Sequence, residues 1–512
     1  MTLNNTIYAI IAVMMFFELI AAGAETSTSL SDADFRRIDN YIETQLKEAN
    51  IPGAALVIVE GNQITHLRGF GVAGPDGQPM TPKTGFFLGS VSKSFTALAI
   101  MQLVEAGQID LEAPVQKYLP WFRVADPKAS SQMKVRHLLN HTSGLSTYAG
   151  RTHLNSSDMS NEAMKRRVRS LHKAKLTAPV GKGTNYSNAN YHILGAIIES
   201  VSGQSYENYI QEHIFDPLNM TNSYTSEESA RQHNLATGYR YWFGKPFAAI
   251  HIPHSRGDLA AGYLISCAND MGNYLLALMN RGVLGDTQIL SENGISKLHT
   301  PERKDLNYGM GWGIGKIHNT RVISHDGSTP GFHTEIAIFP DYQRAFCLLI
   351  NAENWLSGPA IGALCWHMKS LIIGKQAYPI MKAPKVHIYI ALLCFLLLSQ
   401  VIRLALISHR IYRWCKCPDT LPERKRWSLW MRGSVSCIVN IVIAVGMLWL
   451  VPQSQEVPLS GIILYAPDAG WLLLSSGILA IIALFVSISV TAVLIKHVHI
   501  KTINAEDKGV KY

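Results

Sequence analysis

The sequence predicts an α/β domain followed by three membrane-spanning helices. Strand-like runs lie near both ends of the body, at 54–69 and 321–351, whereas the middle, about 95–300, follows a mostly helical pattern broken by Gly, Pro and Asn loops. We therefore expect the first and last segments to share one sheet, with a helical lobe inserted between them. After residue 386, three apolar stretches each approach the roughly 20 residues that a bilayer-spanning helix needs.

The chain begins with the pattern of an export signal. An apolar run at 7–17 precedes Ala22-Gly23-Ala24, an A-x-A cleavage site. The run lacks a basic residue before it and is followed by Glu18, so an uncleaved anchor is the alternative. We predict a signal peptide at 1–24 and an exported body at 25–375.

The body opens with a helix capped by Ser31 and continues with a β-hairpin. The hairpin consists of strands at 54–60 and 64–69, joined by Gly61-Asn62-Gln63. Near the other end, three further strands and a closing helix are predicted at 321–324, 333–339, 344–351 and 359–373.

The distribution of basic residues predicts how the chain crosses the membrane. We predict a linker at 376–386, spans at 387–408, 433–452 and 471–495, a loop at 409–432, a second loop at 453–470 and a tail at 496–512. The first loop and the tail are rich in Lys and Arg, whereas the second loop contains neither. By the positive-inside rule the basic segments are cytoplasmic, so the body lies on the extracytoplasmic side of the cell membrane.

The net charge of +9 is mainly a feature of this membrane part. Residues 387–512 contain 12 Lys or Arg and 6 Asp or Glu, which leaves the body nearly neutral. A basic surface for nucleic acid is therefore not expected.

Cysteine and histidine patterns indicate neither a disulfide framework nor a metal site. Only Cys267, Cys347 and Cys365 lie in the exported body, an odd number without framework spacing. We expect buried cysteines with at most one disulfide. No His/Cys cluster has zinc spacing, so no metal or cofactor is predicted.

A serine and a lysine three residues apart are the first candidate catalytic pair. Ser90-Val91-Ser92-Lys93 is an S-x-x-K motif, which on a helix puts the hydroxyl and the amine on one face. The bare pattern also occurs at 131–134 and 170–173. Only Ser90 precedes a strongly apolar helical stretch, where burial lowers a lysine pKa and makes the amine a base.

Two more motifs follow in order along the chain. Tyr186-Ser187-Asn188 lies between a loop and a helical pattern, and His325-Asp326-Gly327-Ser328 ends a strand. A second Y-x-N sequence at 206–208 lies inside a helix, where core packing explains it. His141 and its neighbours are interpreted as structural, because a Thr/Ser/Gly turn after a helix needs only local hydrogen bonds.

This ordered set resembles the penicillin-recognising serine hydrolases, in the branch of class C β-lactamases, DD-peptidases and D-aminopeptidases. The resemblance covers about 30–373 and includes the sequences at 137–145, 186–195, 216–218, 268–271 and 309–312. It implies a β-lactamase/penicillin-binding-protein-like fold, an antiparallel sheet flanked by helices.

The resemblance also implies roles for individual residues. Ser90 would be the acylated nucleophile, and Lys93 and Tyr186 would share the acid and base work. Asn188 would bond Lys93 or the substrate amide, and His325 would line the strand side of the cleft. The oxyanion hole would use the backbone N–H groups of Ser90 and Ser328, beside Gly327.

Substrate class is expected to differ from that of efficient β-lactamases. Many of those have lysine in the third motif, and His325 is a weaker cation for a substrate carboxylate. The order of export signal, hydrolase body and three spans also resembles that of membrane-anchored peptidases that activate prodrugs. Phe87 and Thr329, however, replace the residues associated with D-Asn recognition in those peptidases.

We expect a membrane-anchored serine hydrolase acting on a peptide or small-molecule amide, next to a D-residue. The alternatives are an esterase or weak β-lactamase of the same fold, or a non-turnover binder of β-lactams or cell wall.

Overall fold

The structure is a computed structural model that describes residues 29–355, 358–376, 384–417 and 426–506. The predicted signal peptide at 1–24, most of the linker and the end of the tail lie outside the described residues.

A central antiparallel sheet is built from the two ends of the body. The strands are β1 Gly53–Glu60, β2 Gln63–Gly71, β3 Phe86–Phe87, β4 Gly238–Trp242, β5 Lys245–Ala249, β6 Ile265–Ser266, β7 Val283–Leu284, β8 Thr287–Gln288, β9 Gly313–Ile317, β10 Thr320–Thr329, β11 Phe332–Phe339 and β12 Arg344–Ile350. Six of them form one sheet in the order β2-β1-β12-β11-β10-β9, and the others pair as β3-β6, β4-β5 and β7-β8. The prediction that the first and last segments share one sheet is confirmed.

Helices make up the inserted lobe and cover the sheet. They are α1 Asp32–Glu48, α2 Ser92–Glu105, α3 Val115–Tyr118, α4 Pro127–Gln132, α5 Val135–Leu139, α6 Ala163–Arg169, α7 Asn188–Ser202, α8 Tyr206–Ile210, α9 Glu227–Gln232, α10 Leu259–Gly262, α11 Ala268–Met279, α12 Glu292–Leu298 and α13 Gly358–Ile372. Ser31 caps α1 as predicted, with its hydroxyl accepting from the backbone N–H of Asp34.

The sheet is buried on both faces, which explains its uninterrupted apolar strands. Along β1, Val57 and Val59 pack into the core shared with α2 and α11, whereas Leu56 and Ile58 pack into the core shared with α1 and α13. This alternation follows from the two-residue period of a strand. Because each side chain must face its own core, this alternation fixes how the strands pair, and the pairing fixes where the third motif lies in the sheet.

Strand β10 is longer than the sequence pattern indicates. The pattern ends at 324, but pairing with β11 continues from Ile323↔Ile338 to Thr329↔Phe332. Backbone hydrogen bonds to a neighbouring strand extend β10 through residues that are polar or small. The third motif therefore forms the end of β10, as the sequence predicts, and the strand extends beyond the predicted bounds 321–324.

Three helices after the body are long and apolar enough to cross a membrane, at Ile388–Lys416, Trp427–Ser454 and Pro467–Ile500. They belong to α14 Pro384–Lys416, to α15 Arg426–Val445 with its continuation α16 Val451–Ser454, and to α18 Pro467–Glu506. The segment 453–470, predicted as a loop, contains a further helix, α17 Leu459–Tyr465. Its residues Val457 and Ile462 pack against Leu154 of the body, and this burial stabilises a helix in the segment.

Candidate active site

Ser90 lies in a tight turn pressed against strand β10. The turn Gly89–Val91 leads directly into α2, and Gly89 has a φ of +55°. A Cβ on Gly89 would come 2.4 Å from the backbone N of Ser328, and one on Gly327 would come 2.0 Å from the carbonyl oxygen of Leu88. Only glycines permit this approach, which brings the backbone N–H groups of Ser90 and Ser328 to the same end of the cleft.

Lys93 provides a buried amine beside the Ser90 hydroxyl. Its Nζ is hydrogen-bonded to Ser90 Oγ at 2.9 Å and to the carbonyl oxygen of Ala261 at 2.6 Å. The side chain is completely inaccessible to solvent. Burial, aided by the positive charge of Arg151, lowers the pKa of Lys93 well below its ordinary value, which favours the neutral amine.

The other S-x-x-K sequences have different surroundings. At 131–134 the serine lies in the last turn of α4, and Lys134 Nζ instead lies 2.9 Å from Glu112 Oε2 in an exposed ion pair. At 170–173 both residues lie in an exposed turn after α6. The burial of its lysine thus distinguishes the S-x-x-K sequence at Ser90 from the other two.

Tyr186 faces Ser90 from the loop that precedes α7. The Lys93 Nζ lies 5.0 Å from the centre of the Tyr186 ring. Burial raises the pKa of Tyr186 above its ordinary value, while a hydrogen bond with Ser90 opposes the rise. Asn188, the first residue of α7, lines the same cleft. The hydrogen bonds described for Lys93 go to Ser90 and Ala261, so the expected bond between Asn188 and Lys93 is not among them.

His141 supports Tyr186 from behind. The rings of the two residues are 4.4 Å apart, and His141 Nδ1 accepts from the backbone N–H of Ser187 at 3.1 Å. The Asn190 amide lies 2.8 Å from the same nitrogen. These contacts agree with the structural interpretation of His141, and they are long-range contacts that hold the loop carrying Tyr186.

His325 closes the strand side of the cleft. Its Nδ1 donates to the carbonyl oxygen of Asp326 at 2.6 Å, so its Nε2 accepts from the Tyr308 hydroxyl at 2.9 Å. Burial lowers the pKa of His325 to about 4, although the negative charge of Asp326 opposes the shift. The imidazole is therefore neutral at pH 7 and supplies no cation for a substrate.

One cleft of about 480 Å³ contains most of the predicted site: Ser90, Tyr186, Asn188, His325 and Ser328 line it. Among the lining residues that sequence reasoning missed are Arg151, Tyr308, Trp355 and Tyr465. Tyr308 precedes the sequence at 309–312, which could have drawn attention to it, whereas the other three have no local signal. Another cavity lies between the apolar helices and is lined by Arg410, Arg413 and Arg432, but it contains none of the three motifs.

Possible metal ligands meet behind the sheet rather than in this cleft. The ligand atoms of His333, Glu335 and Cys365 lie within 4.8 Å of one another. The ammonium of Lys369 already lies 2.8 Å from Glu335, and His333 is paired with Glu353 at 2.7 Å. These partners supply the positive charge and the hydrogen bonds that the cluster needs. The three body cysteines are free and buried, as expected.

Comparison with known proteins identifies the family. The Beta-lactamase family model matches residues 38–363, more than half of the chain. The chain is 29% identical to the putative penicillin-binding protein PbpX of Bacillus subtilis over 62% of this chain and 74% of that protein. It is 24% identical to protein flp of Staphylococcus aureus over 68% of each chain.

Solved structures are similar over the same region. The octameric penicillin-binding protein homologue from Pyrococcus abyssi has a TM-score of 0.58 and 28% identity, covering 68% of this chain and 79% of that one. FmtA from Staphylococcus aureus, at 24% identity, shows the same fold with a TM-score of 0.53, covering 69% of this chain and 91% of that one. These matches confirm the predicted fold class, and the chain belongs to the beta-lactamase family.

Proposed function

We propose that this chain is an extracytoplasmic, membrane-anchored serine hydrolase that forms an acyl-enzyme at Ser90 and cleaves an amide next to a D-amino acid. The proposal depends most on the 2.9 Å contact between Ser90 Oγ and the buried amine of Lys93. Family membership supports the reaction class. The preference for a D-residue rests on the resemblance to DD-peptidases and D-aminopeptidases.

Opposite pKa shifts support separate roles for Lys93 and Tyr186. A low pKa suits Lys93 for taking the Ser90 proton as Oγ bonds to the substrate carbonyl carbon. A high pKa keeps the Tyr186 phenol protonated, so that it can give a proton to the leaving nitrogen as the amide bond breaks. The proton held by Lys93 then replaces the one that Tyr186 has lost.

Two backbone N–H groups would stabilise the intermediate. The negative oxygen formed on attack would accept from the N–H groups of Ser90 and Ser328, each worth about 3 kcal/mol in comparable sites. Water then attacks the resulting ester, the carboxylic acid product leaves, and Ser90 Oγ recovers its proton.

Contacts between the body and the apolar helices support the proposed sidedness. The backbone N–H of Phe243 donates to Asp468, at the start of the third apolar helix, over 3.1 Å. The end of the third apolar helix that begins at Pro467 therefore lies beside the body. The described basic residues Arg413 and Arg432 lie near Leu494, at the opposite end of that helix. This arrangement agrees with the positive-inside rule.

Covalent labelling with a fluorescent penicillin tests the acyl-enzyme. Full-length chain should be labelled, Ser90→Ala should not, and Ser131→Ala, which changes the serine of an exposed S-x-x-K, should be labelled like the wild type. Labelling that survives Ser90→Ala would contradict the assignment of the nucleophile.

Turnover of four substrates distinguishes the proposed activity from its alternatives. We expect hydrolysis of a D-alanyl-D-alanine peptide that exceeds the rates for its L-stereoisomer, for an ester and for a β-lactam. Faster ester hydrolysis would identify an esterase. Stable label without any turnover would identify a binding protein.

A further inference from the structure

One wall of the cleft is a stack of three side chains from distant parts of the chain. The rings of Trp355 and Tyr465 are stacked, with centres 4.3 Å apart and planes inclined by 15°. The guanidinium of Arg151 lies 5.6 Å from the centre of the Trp355 ring. All three residues line the cleft that contains Ser90. The stack is thus placed to contact whatever is bound beside Ser90.

Tyr465 comes from the segment between the second and third apolar helices. It is the last residue of α17 and is only 5% exposed. Arg240 Nη1 donates to the carbonyl oxygen of Leu464 at 3.3 Å, and Asp468 accepts from the backbone of Phe243. Tyr465 is therefore held between two anchoring contacts, one with strand β4 and one with the turn that follows it.

Arg151 supplies a positive charge that is not neutralised within the described part of the chain. No carboxylate of the described residues lies within ion-pair distance of its guanidinium, although Asp326 also lines the cleft. Lys369, the other cation lining the cleft, is paired with Glu335. A guanidinium binds carboxylates through two parallel hydrogen bonds, and one stacked on an indole keeps its N–H edge available for them.

The aromatic part of the stack suits a different portion of a ligand. Trp355 and Tyr465 offer flat faces with few conformations to lose, which favours packing against an apolar or planar group. The guanidinium of Arg151 and the aromatic faces are adjacent. A ligand that contacts both would therefore carry an anionic group next to an apolar or planar group.

We propose that Arg151, Trp355 and Tyr465 form a substrate subsite for a carboxylate next to an apolar or planar group. The segment 457–465 is then part of the substrate site, and the apolar helices that hold it contribute to specificity as well as to anchoring. This inference rests on the proposed function of the cleft, since it takes the ligand of the subsite to be the substrate of Ser90.

Binding to a catalytically inactive chain tests the subsite without requiring turnover. The parent is full-length Ser90→Ala in detergent, and the probes are N-dansyl-D-alanyl-D-alanine and the same peptide with a C-terminal amide. Binding is followed by dansyl fluorescence. We expect the free acid to bind the parent at least about ten-fold more tightly than the amide, because a charged hydrogen-bonded pair is lost with the amide.

Two substitutions separate the charge from the aromatic wall. Adding Arg151→Gln should abolish the preference for the acid and leave amide affinity nearly unchanged. Adding Tyr465→Ala should weaken both probes about five-fold or more, whereas Tyr465→Phe, which keeps the ring, should retain parental affinity. Thermal unfolding that coincides with that of the parent shows that each variant is folded.

Several results would overturn the proposal. Equal affinity of the parent for acid and amide, no binding of either, or a preference that survives Arg151→Gln excludes the carboxylate site. Unchanged affinity in folded Tyr465→Ala excludes a contribution from the segment 457–465. A wild-type chain that penicillin does not acylate contradicts the proposed function instead, and the binding comparison still decides the subsite.

Discussion

Lys93 Nζ lies 2.9 Å from Ser90 Oγ, and its other hydrogen bond, to the carbonyl oxygen of Ala261, holds the amine in that position. The amine has no access to water, so its charged form is destabilised. Geometry and burial thus act together, because the amine that is hydrogen-bonded to the proposed nucleophile also has a lowered pKa.

The lowered pKa of Lys93 predicts the alkaline side of the reaction. Acylation by penicillin should increase with pH through a midpoint well below the ordinary lysine pKa of 10.5, since the neutral amine is the active form. The second-order acylation rate between pH 5 and 10 measures this. Replacing the base by Lys93→Met should slow acylation about 10²- to 10⁴-fold at every pH.

A midpoint near 10.5 would contradict the proposed base.

The lowered pKa of Lys93 also predicts how the stability of the fold depends on pH. Its folded-state pKa is below the unfolded one, so the unfolded chain binds the proton more tightly. The unfolding temperature of the wild type, relative to Lys93→Met, should therefore decrease as pH falls from about 10.4 towards the lowered pKa. A difference that does not change with pH would show that Lys93 has an ordinary pKa.

Gly327 predicts how sensitive the site is to the packing of a turn on a strand. A Cβ at this position would come 2.0 Å from the carbonyl oxygen of Leu88 and 2.9 Å from the backbone N of Ser90. Gly327→Ala should push the turn from β10, separate the two oxyanion donors and slow acylation by about 10²- to 10³-fold.

Gly315 provides the matched control for this substitution. It lies on the neighbouring strand β9, where the same Cβ would meet only Val322 Cγ1 at 3.8 Å, an ordinary contact. Gly315→Ala should acylate at nearly the wild-type rate. Equal rates for the two variants would mean that the close contact does not shape the oxyanion site.

The catalytic motifs were accessible from the sequence because each is local. Ser90 and Lys93 are one turn apart at the start of α2, and the residues of the second and third motifs are neighbours in a loop and a strand. The pairing of the first and last strands was also predictable, since apolar strand patterns at both ends of the body must be buried against each other.

Residues that meet only through long-range packing could not be predicted. Arg151, Trp355 and Tyr465 are separated by more than 100 residues each, and none belongs to a periodic pattern. The helix α17 was missed because its seven residues are stabilised by contact with Leu154 rather than by a pattern of their own. The contact of His141 with the Ser187 backbone could not be predicted, because it depends on how two loops fold together.

His325 predicts how the reaction responds to acid. With a pKa of about 4, caused mainly by burial, its imidazole is neutral from about pH 5 upwards. His325→Gln, which keeps a neutral donor and acceptor, should therefore acylate within about ten-fold of the wild type. Between pH 5 and 7 the ratio of the two rates should stay constant. A ratio that changes with a midpoint near 6.5 would show that the imidazolium takes part.

Sidedness is tested by labelling cysteines from outside the cell. Cys415 and Cys417 are exposed at the basic end of α14, whereas Gln455 is exposed between the second and third apolar helices, close to the body. In spheroplasts, a membrane-impermeant maleimide should label Gln455→Cys well above the wild type, which has no cysteine there. Cys415 and Cys417 should react only after lysis, as shown by loss of that label in a double Cys→Ser variant. Labelling of the native pair in intact spheroplasts would reverse the topology, and the cleft that Tyr465 lines would then face the cytoplasm.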